Sequence, residues 1–336
     1  MQKYCFLLAI ALWAAAACGP GPSSQGGHME YAEGFECPSP GTVVVRDLLS
    51  GQADTLRGPL RRLVCMSSSY VGFLEALDAR ETVVGVSGLG FLGDSLVQAS
   101  AVEVGYDAAL DYEAIVRLRP DCVLAYSVGA VQPLYLAKLK ELGIRTVILG
   151  EQLESHPLAR AEYIKLFGVL TGREARADSL FSVVRDRYLS LVRPEVSCKV
   201  LINAPYAEAW YIPGADNYMA RLVRDAGGEL LGSLPGRRES RIIGLEAACA
   251  YAAEADVWLN PGWCRTKAEL RSVHPLFGSF PVLDKQVWNN TLQATPGGGN
   301  RFWETGPVRP DWVLEDLINA FEGVQDAPMH YYLPVE

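Results

Sequence analysis

Residues 157–193, PLARAEYIKLFGVLTGREARADSLFSVVRDRYLSLVR, form the longest helix-like stretch in the chain. Ala161, Ile164 and Phe167 fall on one helical stripe. The run Thr171-Gly-Arg-Glu174 has the spacing of a capping box that restarts a helix. A helix of about 20 residues spans about 30 Å, roughly the diameter of a small lobe. We therefore expect residues 157–193 to be a stiff linking helix between two lobes.

Strand and helix patterns alternate on both sides of this segment, which is typical of parallel sheets covered by helices. Strands are predicted at residues 62–66, 82–86, 121–126, 145–149, 199–204, 256–260 and 286–289, after a hairpin over 42–47 and 53–56. Helices are predicted at residues 70–77, 111–118, 133–142, 217–226, 245–253 and 310–321. The expected fold is α/β, with two Rossmann-like lobes (35–156 and 194–336) bridged by a long helix and a ligand cleft between them.

The amino terminus has the pattern of an export signal. Lys3 precedes an apolar run from Phe6 to Ala17, which is too short to remain as a membrane span. The run ends in Ala15-Ala-Ala-Cys18, which resembles a bacterial lipobox with an acylated cysteine; the alternative is an ordinary secretory signal. We expect residues 1–18 to be a lipoprotein signal anchored through Cys18, residues 19–34 to be a flexible tether, and the protein to be periplasmic and membrane-anchored.

Composition excludes several functions. A formal net charge of -9 argues against a nucleic-acid partner. The four histidines are not clustered, so a site for a bare metal ion is not expected. Gly85, Gly88 and Gly90 lack the order of a nucleotide-binding loop, and no nucleophile motif is present.

Eight cysteines contain no CxxC pair, which disfavours a zinc or redox motif. Cys65, Cys122 and Cys198 lie in apolar runs and are interpreted as buried thiols. The remaining candidates for disulfide pairing are Cys37, Cys249 and Cys264, and spacing alone does not decide among them.

Aromatic residues concentrate in loops that follow predicted strands, where two-lobed binders hold a ligand. Flat rings provide large apolar contact at low entropic cost, and an arginine in the same region would pair with an anionic chelate. The candidate ligand-binding residues are Tyr70, Tyr106, Tyr126, Trp210, Tyr211, Trp263, Arg301 and Trp303. Trp258 and Trp312 lie inside regular elements and are interpreted as structural.

Ordered segments between residues 61 and 322 resemble the helical-spine periplasmic binding proteins that carry siderophores, haem and vitamin B12 to ABC importers. The similar segments are 62–70 (RLVCMSSSY), 75–77 (EAL), 83–86 (VVGV), 112–121 (YEAIVRLRPD), 139–144 (LKELGI), 170–174 (LTGRE), 226–228 (AGG) and 244–247 (GLEA). Each segment is short, and their order and spacing together make the resemblance specific.

The resemblance implies a binding protein with no intrinsic cofactor and no catalytic residues. Its transported ligand would be an iron-siderophore, haem or a corrinoid such as cobalamin, and its partner an ABC importer permease dimer. Glu113 and Glu246 fall where the family places one docking acid on each lobe. Tyr106 falls where haem-binding members have an iron-ligating tyrosine. Residues 107–111 depart from the haem pattern, so packing against the ligand and ligation of iron both remain open for Tyr106. The alternative function is a tetrapyrrole- or chelate-modifying enzyme on the same fold.

Overall fold

The computed structural model of this protein describes residues 28–106, 109–127, 133–205, 209–324 and 326–336. The predicted signal segment and Cys18 lie outside these described residues. Within them the chain forms two α/β lobes, as the alternation of strand and helix patterns predicts. In the described part of the chain, no helix combines the length and apolar character that a membrane span requires.

The first lobe starts with an antiparallel meander and continues into a five-stranded parallel sheet. The meander is β1 (Phe35–Ser39), β2 (Thr42–Arg46) and β3 (Ala53–Arg57), and it contains the predicted hairpin. The sheet strands are β4 (Leu63–Cys65), β5 (Val83–Val86), β6 (Val102–Glu103), β7 (Cys122–Ala125) and β8 (Thr146–Ile148), in the spatial order β6-β5-β4-β7-β8. The helices are α1 (Ser68–Ala76), α2 (Ser95–Ser100), α3 (Tyr112–Leu118) and α4 (Leu134–Glu141).

The linking segment expected over 157–193 consists of two helices, α5 (Pro157–Thr171) and α6 (Glu174–Leu191), which break where the sequence predicts a restart. Gly172 ends α5 in the left-handed region at a φ of +69°, a conformation that glycine adopts without steric cost. The predicted capping box is wrong, because the Thr171 hydroxyl donates to the Phe167 carbonyl instead.

Both helices pack against both lobes. In α6, Ala177 and Phe181 pack into the first-lobe core, whereas Tyr188 packs into the second-lobe core. In α5, Phe167 packs into the first-lobe core and Leu158 into the second-lobe core. With 18 residues, α6 is about 27 Å long. The lobes are therefore joined through both helices of this segment.

The second lobe has a five-stranded sheet in the order β11-β9-β13-β14-β15, with β15 antiparallel, and a separate pair, β10 and β12. Its strands are β9 (Cys198–Ile202), β10 (Trp210–Ile212), β11 (Gly228–Leu230), β12 (Arg241–Ile243), β13 (Val257–Leu259), β14 (Gln286–Asn289) and β15 (Leu333–Pro334). Its helices are α7 (Tyr218–Asp225), α8 (Leu245–Glu254), α9 (Lys267–Val273), α10 (Arg301–Thr305) and α11 (Pro310–Glu322).

Helix α10 makes a second connection between the lobes. Arg301 donates to both carboxylate oxygens of Glu75 in α1, at 2.7 and 2.9 Å, and to Glu304 at 2.6 Å. Gly72 lets the helices approach closely, since a Cβ there would lie 1.9 Å from the Glu304 carbonyl oxygen. The two lobes are therefore tied at α10 as well as through α5 and α6.

Residues 29–34, which we call the N-terminal clasp, make a third connection. The buried Glu162 carboxylate on α5 accepts the backbone N–H groups of Glu30, Tyr31 and Ala32 at 2.8 to 2.9 Å. Glu33 pairs with Arg238 of the second lobe at 3.0 Å. The expectation of a flexible tether as far as residue 34 is therefore wrong for the clasp, whose backbone donors are bound to buried carboxylates.

Glu154 holds the end of the clasp. One carboxylate oxygen accepts the N–H groups of Glu33 and Gly34, at 3.0 and 2.9 Å. The other oxygen is buried with no hydrogen-bond partner among the described residues. Burial, opposed by the two backbone hydrogen bonds, raises the pKa of Glu154 to about 7.

This pKa predicts a pH dependence of stability. Because the folded pKa lies above the ordinary value of 4.5, the contribution of Glu154 is fully present below pH 4.5 and is lost as pH rises through about 7. Glu154→Gln mimics the protonated acid. Its free energy of unfolding relative to that of wild type is expected to rise by on the order of 2–3 kcal/mol from pH 5 to pH 8. Urea unfolding of both proteins at the two pH values measures this difference. An equal stability difference between the variant and wild type at pH 5 and at pH 8 would contradict this prediction.

Candidate ligand cleft

The carboxyl ends of the parallel strands place loops from both lobes along one seam. In the first lobe these loops follow β4, β5, β7 and β8, and in the second they follow β9, β13 and β14. Because open α/β sheets bind ligands beyond the carboxyl ends of their strands, this seam is the candidate cleft.

Tyr106 lies on the first-lobe rim of the cleft. Gly105 turns the chain at a φ of +80°, and the Glu103 carboxylate accepts the N–H groups of Gly88 and Gly105 at 3.0 and 2.8 Å. The Tyr106 side chain is 51% exposed, and its ring centroid lies 6.2 Å from that of Phe91. The turn therefore presents two neighbouring rings to solvent, and its N–H groups are occupied by Glu103 instead of a phosphate.

The Tyr106 phenol favours its protonated form. Partial burial and the nearby Glu103 carboxylate both raise the pKa of Tyr106. A bound ferric ion would itself lower the pKa of a phenol ligand, so this direction does not decide between the two roles. Packing against a ligand and ligation of iron both remain predictions for Tyr106.

Trp303 lies on α10, on the second-lobe rim of the cleft, and lines the same crevice as Arg160 and Tyr218. It is 50% exposed, and its ring stands nearly perpendicular to that of buried Phe302, at a centroid separation of 4.7 Å. Asn300 caps α10 by accepting the Phe302 N–H at 3.0 Å. A buried ring and a capped helix start therefore support the exposed indole.

A chain of polar side chains, which we call the floor relay, crosses the base of the cleft from lobe to lobe. Ser67 and Ser69 hydroxyls lie 2.8 Å apart, and Ser69 donates to Glu151 at 2.8 Å. The other Glu151 oxygen accepts from Arg160 Nε at 2.7 Å. The Arg160 guanidinium lies 4.0 Å from the centroid of the Tyr218 ring, at the start of α7.

The charges of the floor relay lie in its middle. Glu151 is 3% exposed and Arg160 is 7% exposed, whereas Ser67 and Tyr218 are partly exposed. Burial opposes the charge of Arg160, but the Glu151 carboxylate outweighs it and raises the pKa of Arg160. The floor therefore carries a buried ion pair with no net charge and presents a hydroxyl and a phenol ring.

Three sequence-predicted ligand contacts are corrected by the structure. Tyr70 is buried, and its hydroxyl donates to the carbonyls of Ala125 and Leu149. Trp210 is buried against Trp258 and belongs to the second-lobe core. The Arg301 guanidinium is engaged by Glu75 and Glu304, so its role is to join the lobes instead of pairing with a ligand anion.

Three other predicted ligand contacts keep accessible surface. Tyr126 is half-buried after β7 and packs between the two first-lobe core clusters. Tyr211 on β10 and Trp263 after β13 are exposed. Their contact with a ligand remains a prediction.

Glu113 and Glu246 are both exposed, as a docking role requires. Glu113 lies in the first turn of α3 in the first lobe, with Arg117 at 3.8 Å. Glu246 lies in the first turn of α8 in the second lobe. Each lobe thus presents one acid at a helix start, where the helix dipole favours negative charge.

The sequence reasoning missed Phe91 and most of the floor relay. Among these residues, Arg160 carried a usable signal in the sequence. It stands one helical turn before Ile164, on the helical stripe that continues to Phe167, and a charge on such an apolar stripe needs a buried partner.

The buried positions of three cysteines confirm the interpretation from sequence. Cys65, Cys122 and Cys198 are buried. Cys37, Cys249 and Cys264 are free thiols. Within the described ranges, no group of three or more histidine, cysteine or acidic residues could hold a metal ion.

A groove of about 380 Å³ lies away from the strand ends, between α1, α6 and α11. Its arginines are engaged by acids or carbonyls, for example Arg176 by Asp78 and Arg309 by Asp311. Because open α/β sheets bind ligands beyond the carboxyl ends of their strands, the strand-end cleft is the better candidate for the ligand site.

Known proteins match this chain both in sequence and in fold. A family model described as "Periplasmic binding protein" matches residues 63–274, more than half of the chain. An uncharacterized lipoprotein of Methanocaldococcus jannaschii is 26% identical over 306 residues, which cover 86% of this chain and 72% of that protein. A cobalamin-binding protein of Halobacterium salinarum is 30% identical over 185 residues, which cover 55% of this chain and 47% of that protein.

Among solved structures, a periplasmic heme binding protein from Pseudomonas aeruginosa has a TM-score of 0.61 at 20% identity, with 82% of this chain and 98% of that chain covered. At this identity the likeness shows the fold alone. The two-lobed architecture agrees with the matched sequence family, whose members are substrate-binding proteins and not enzymes. The protein therefore belongs to the periplasmic binding protein family.

Proposed function

We propose that this protein is an extracytoplasmic, lipid-anchored binding protein that captures a metal chelate and delivers it to the permease of an ABC importer. The observation that carries the proposal is the set of half-exposed rings at the strand-end loops of both lobes, Tyr106 in the first and Trp303 in the second, together with a polar floor whose buried ion pair has no net charge. Such a cleft suits a bulky, flat ligand that has an apolar face and a polar periphery.

Among metal chelates, the cleft favours a corrinoid. Haem carries two carboxylates and ferric siderophores are commonly anionic, so both gain from free cations. Arg160 and Arg301 are already paired with acids. The cobalamin-binding relative from Halobacterium salinarum supports the same choice.

Parallel titrations of the purified protein with cyanocobalamin, haemin and ferric catecholate and hydroxamate siderophores test the ligand class. We expect the tightest binding with cyanocobalamin and no turnover of any ligand. Preferred binding of haemin, with a ligand-to-iron absorbance band that disappears in Tyr106→Phe, would instead assign haem and iron ligation by Tyr106. Conversion of a bound chelate to a new product would refute the carrier role.

Permease docking is proposed for Glu113 and Glu246, because each lobe exposes one of these acids at a helix start. Two separated carboxylates orient a docked protein and steer its encounter with basic groups. The double variant Glu113→Lys/Glu246→Lys is expected to abolish ligand uptake by cells while solution affinity stays within about twofold. The exposed pair Glu141→Lys/Glu254→Lys is the matched control and should leave uptake intact. Lost affinity in the first variant would show that these acids serve the ligand site.

Acylation of Cys18 is proposed as the membrane anchor, and the match to an archaeal lipoprotein is consistent with it. In Cys18→Ser the protein should move from the membrane fraction to the soluble fraction and lose incorporation of radiolabelled fatty acid. Cys5→Ser, within the signal segment, is the control and should change neither. Membrane retention of the Cys18 variant would contradict the anchor.

A further inference from the structure

The floor relay leads to an inference about ligand selection, and it rests on the proposed binding function. Its accessible ends are Ser67 in the first lobe and Tyr218 in the second, and both charged members are withdrawn between them. A ligand that reaches the base of the cleft therefore meets a hydroxyl group and an aromatic face before it meets a charge.

The surroundings of Arg160 supply no second charge. A small crevice beside it is lined by Tyr218, Phe302 and Trp303 together with further apolar and glycine residues, and among these described lining residues Arg160 alone is charged. Its charge is matched by Glu151 at 2.7 Å, and Glu151 in turn accepts the Ser69 hydroxyl at 2.8 Å. The pair is thus complete without a ligand.

A carboxylate and an amide on the ligand would experience this floor differently. An amide loses little on leaving water when hydroxyl groups and dipoles replace its hydrogen bonds. A carboxylate at the same place would lose its hydration, lie near Glu151 and find no free cation among the described lining residues. The distinction depends on the neutral pairing of Glu151 with Arg160, because either residue alone would leave a net charge at the base.

We propose that the Glu151–Arg160 pair is a specificity determinant that makes the cleft select ligands with an uncharged, amide-like periphery over ligands that carry a carboxylate at the floor. Glu151 and Arg160 act here as positioning residues, since they hold Ser69 and Tyr218 and keep the net charge of the floor at zero.

The wild-type protein provides the first test. Its affinity for cyanocobalamin is compared by calorimetry with that for the three isomeric monocarboxylic acids formed when one peripheral amide is hydrolysed. At least one isomer, the one whose acid meets the floor, is expected to bind about tenfold more weakly or worse. Equal affinity for all four ligands would overturn the proposal.

Charge variants provide the second test. Glu151→Gln leaves Arg160 unpaired and is expected to reduce or reverse the penalty of that isomer, whereas Arg160→Gln is expected to increase it. The double variant Glu151→Gln/Arg160→Gln restores neutrality and should return the wild-type ratio. For each variant, the affinity for cyanocobalamin is divided by the affinity for the isomer, so a general loss of affinity cancels in the ratio. Circular dichroism confirms that each variant folds. An unchanged ratio in every folded variant would overturn the proposal.

The corrinoid assignment and the selection by the floor relay can be refuted independently of each other. If wild type binds no corrinoid, the corrinoid assignment is wrong, and haemin with its dimethyl ester makes the same comparison of charged and neutral periphery. Preference for the ester would still support selection by the floor relay, and preference for haemin would overturn it.

Discussion

Replacing Glu162 with alanine is expected to lower the free energy of unfolding by about 3 kcal/mol or more. Glu162 is fully buried and accepts three consecutive clasp N–H groups, while Lys165 donates to it at 2.9 Å. Alanine would leave those donors without an acceptor in a buried position, and it would remove the partner of Lys165. Urea denaturation followed by circular dichroism measures the loss.

The matched control is Asp178→Ala on the neighbouring helix α6. Asp178 is exposed, so its removal is expected to change stability by no more than about 0.5 kcal/mol. A chain that begins at Phe35 completes a double-mutant cycle, because Glu162→Ala should cost much less once the clasp is gone. If Glu162→Ala lowers the free energy of unfolding no more than Asp178→Ala does, the stabilising role of the clasp is contradicted.

The clasp also shows where sequence reasoning reaches its limit. The glycine-rich run 19–27 has the composition of a tether, and residues 28–34 carry no strand or helix pattern that would separate them from it. Their order comes from acids that lie more than 100 positions away along the chain, at Glu154 and Glu162. Contacts of this kind have no local signature.

Regular elements were far more predictable than the cleft. Strands such as β7 and helices such as α11 follow from apolar runs and from proline or glycine at their ends, which are local signals. His156 and His274 each stand directly before a proline and accept an N–H group at a helix start.

Which ring in a loop faces the cleft was not predictable from pattern alone. Tyr70 and Trp303 were equally good candidates in the sequence, yet Tyr70 turns inward to two carbonyls and Trp303 remains half exposed. Arg301 was read as a free cation because its partner Glu75 is 226 positions away. Partners far away along the chain therefore determine whether Tyr70 and Arg301 are available to a ligand.

Replacing Trp303 with alanine is expected to weaken ligand binding about 30- to 100-fold, or about 2–3 kcal/mol. The indole is a half-exposed ring in the same crevice as Arg160 and Tyr218 of the floor relay, and Phe302 packs against it. Burial of this ring by a flat ligand contributes more binding free energy than burial of the neighbouring side chains, because the ring is already ordered in the free protein. Calorimetry with cyanocobalamin measures the change.

Two variants determine whether the loss of ligand affinity is caused by removal of the indole ring. Trp303→Phe keeps an aromatic face and should recover most of the affinity, while Leu189→Ala removes a half-exposed apolar side chain from α6, away from the cleft. Because Arg301 and Glu304 anchor α10 independently of the indole, Trp303→Ala should unfold at nearly the same urea concentration as wild type. Unchanged affinity in Trp303→Ala would place the ligand elsewhere, since a flat chelate bound over the floor relay cannot avoid this rim.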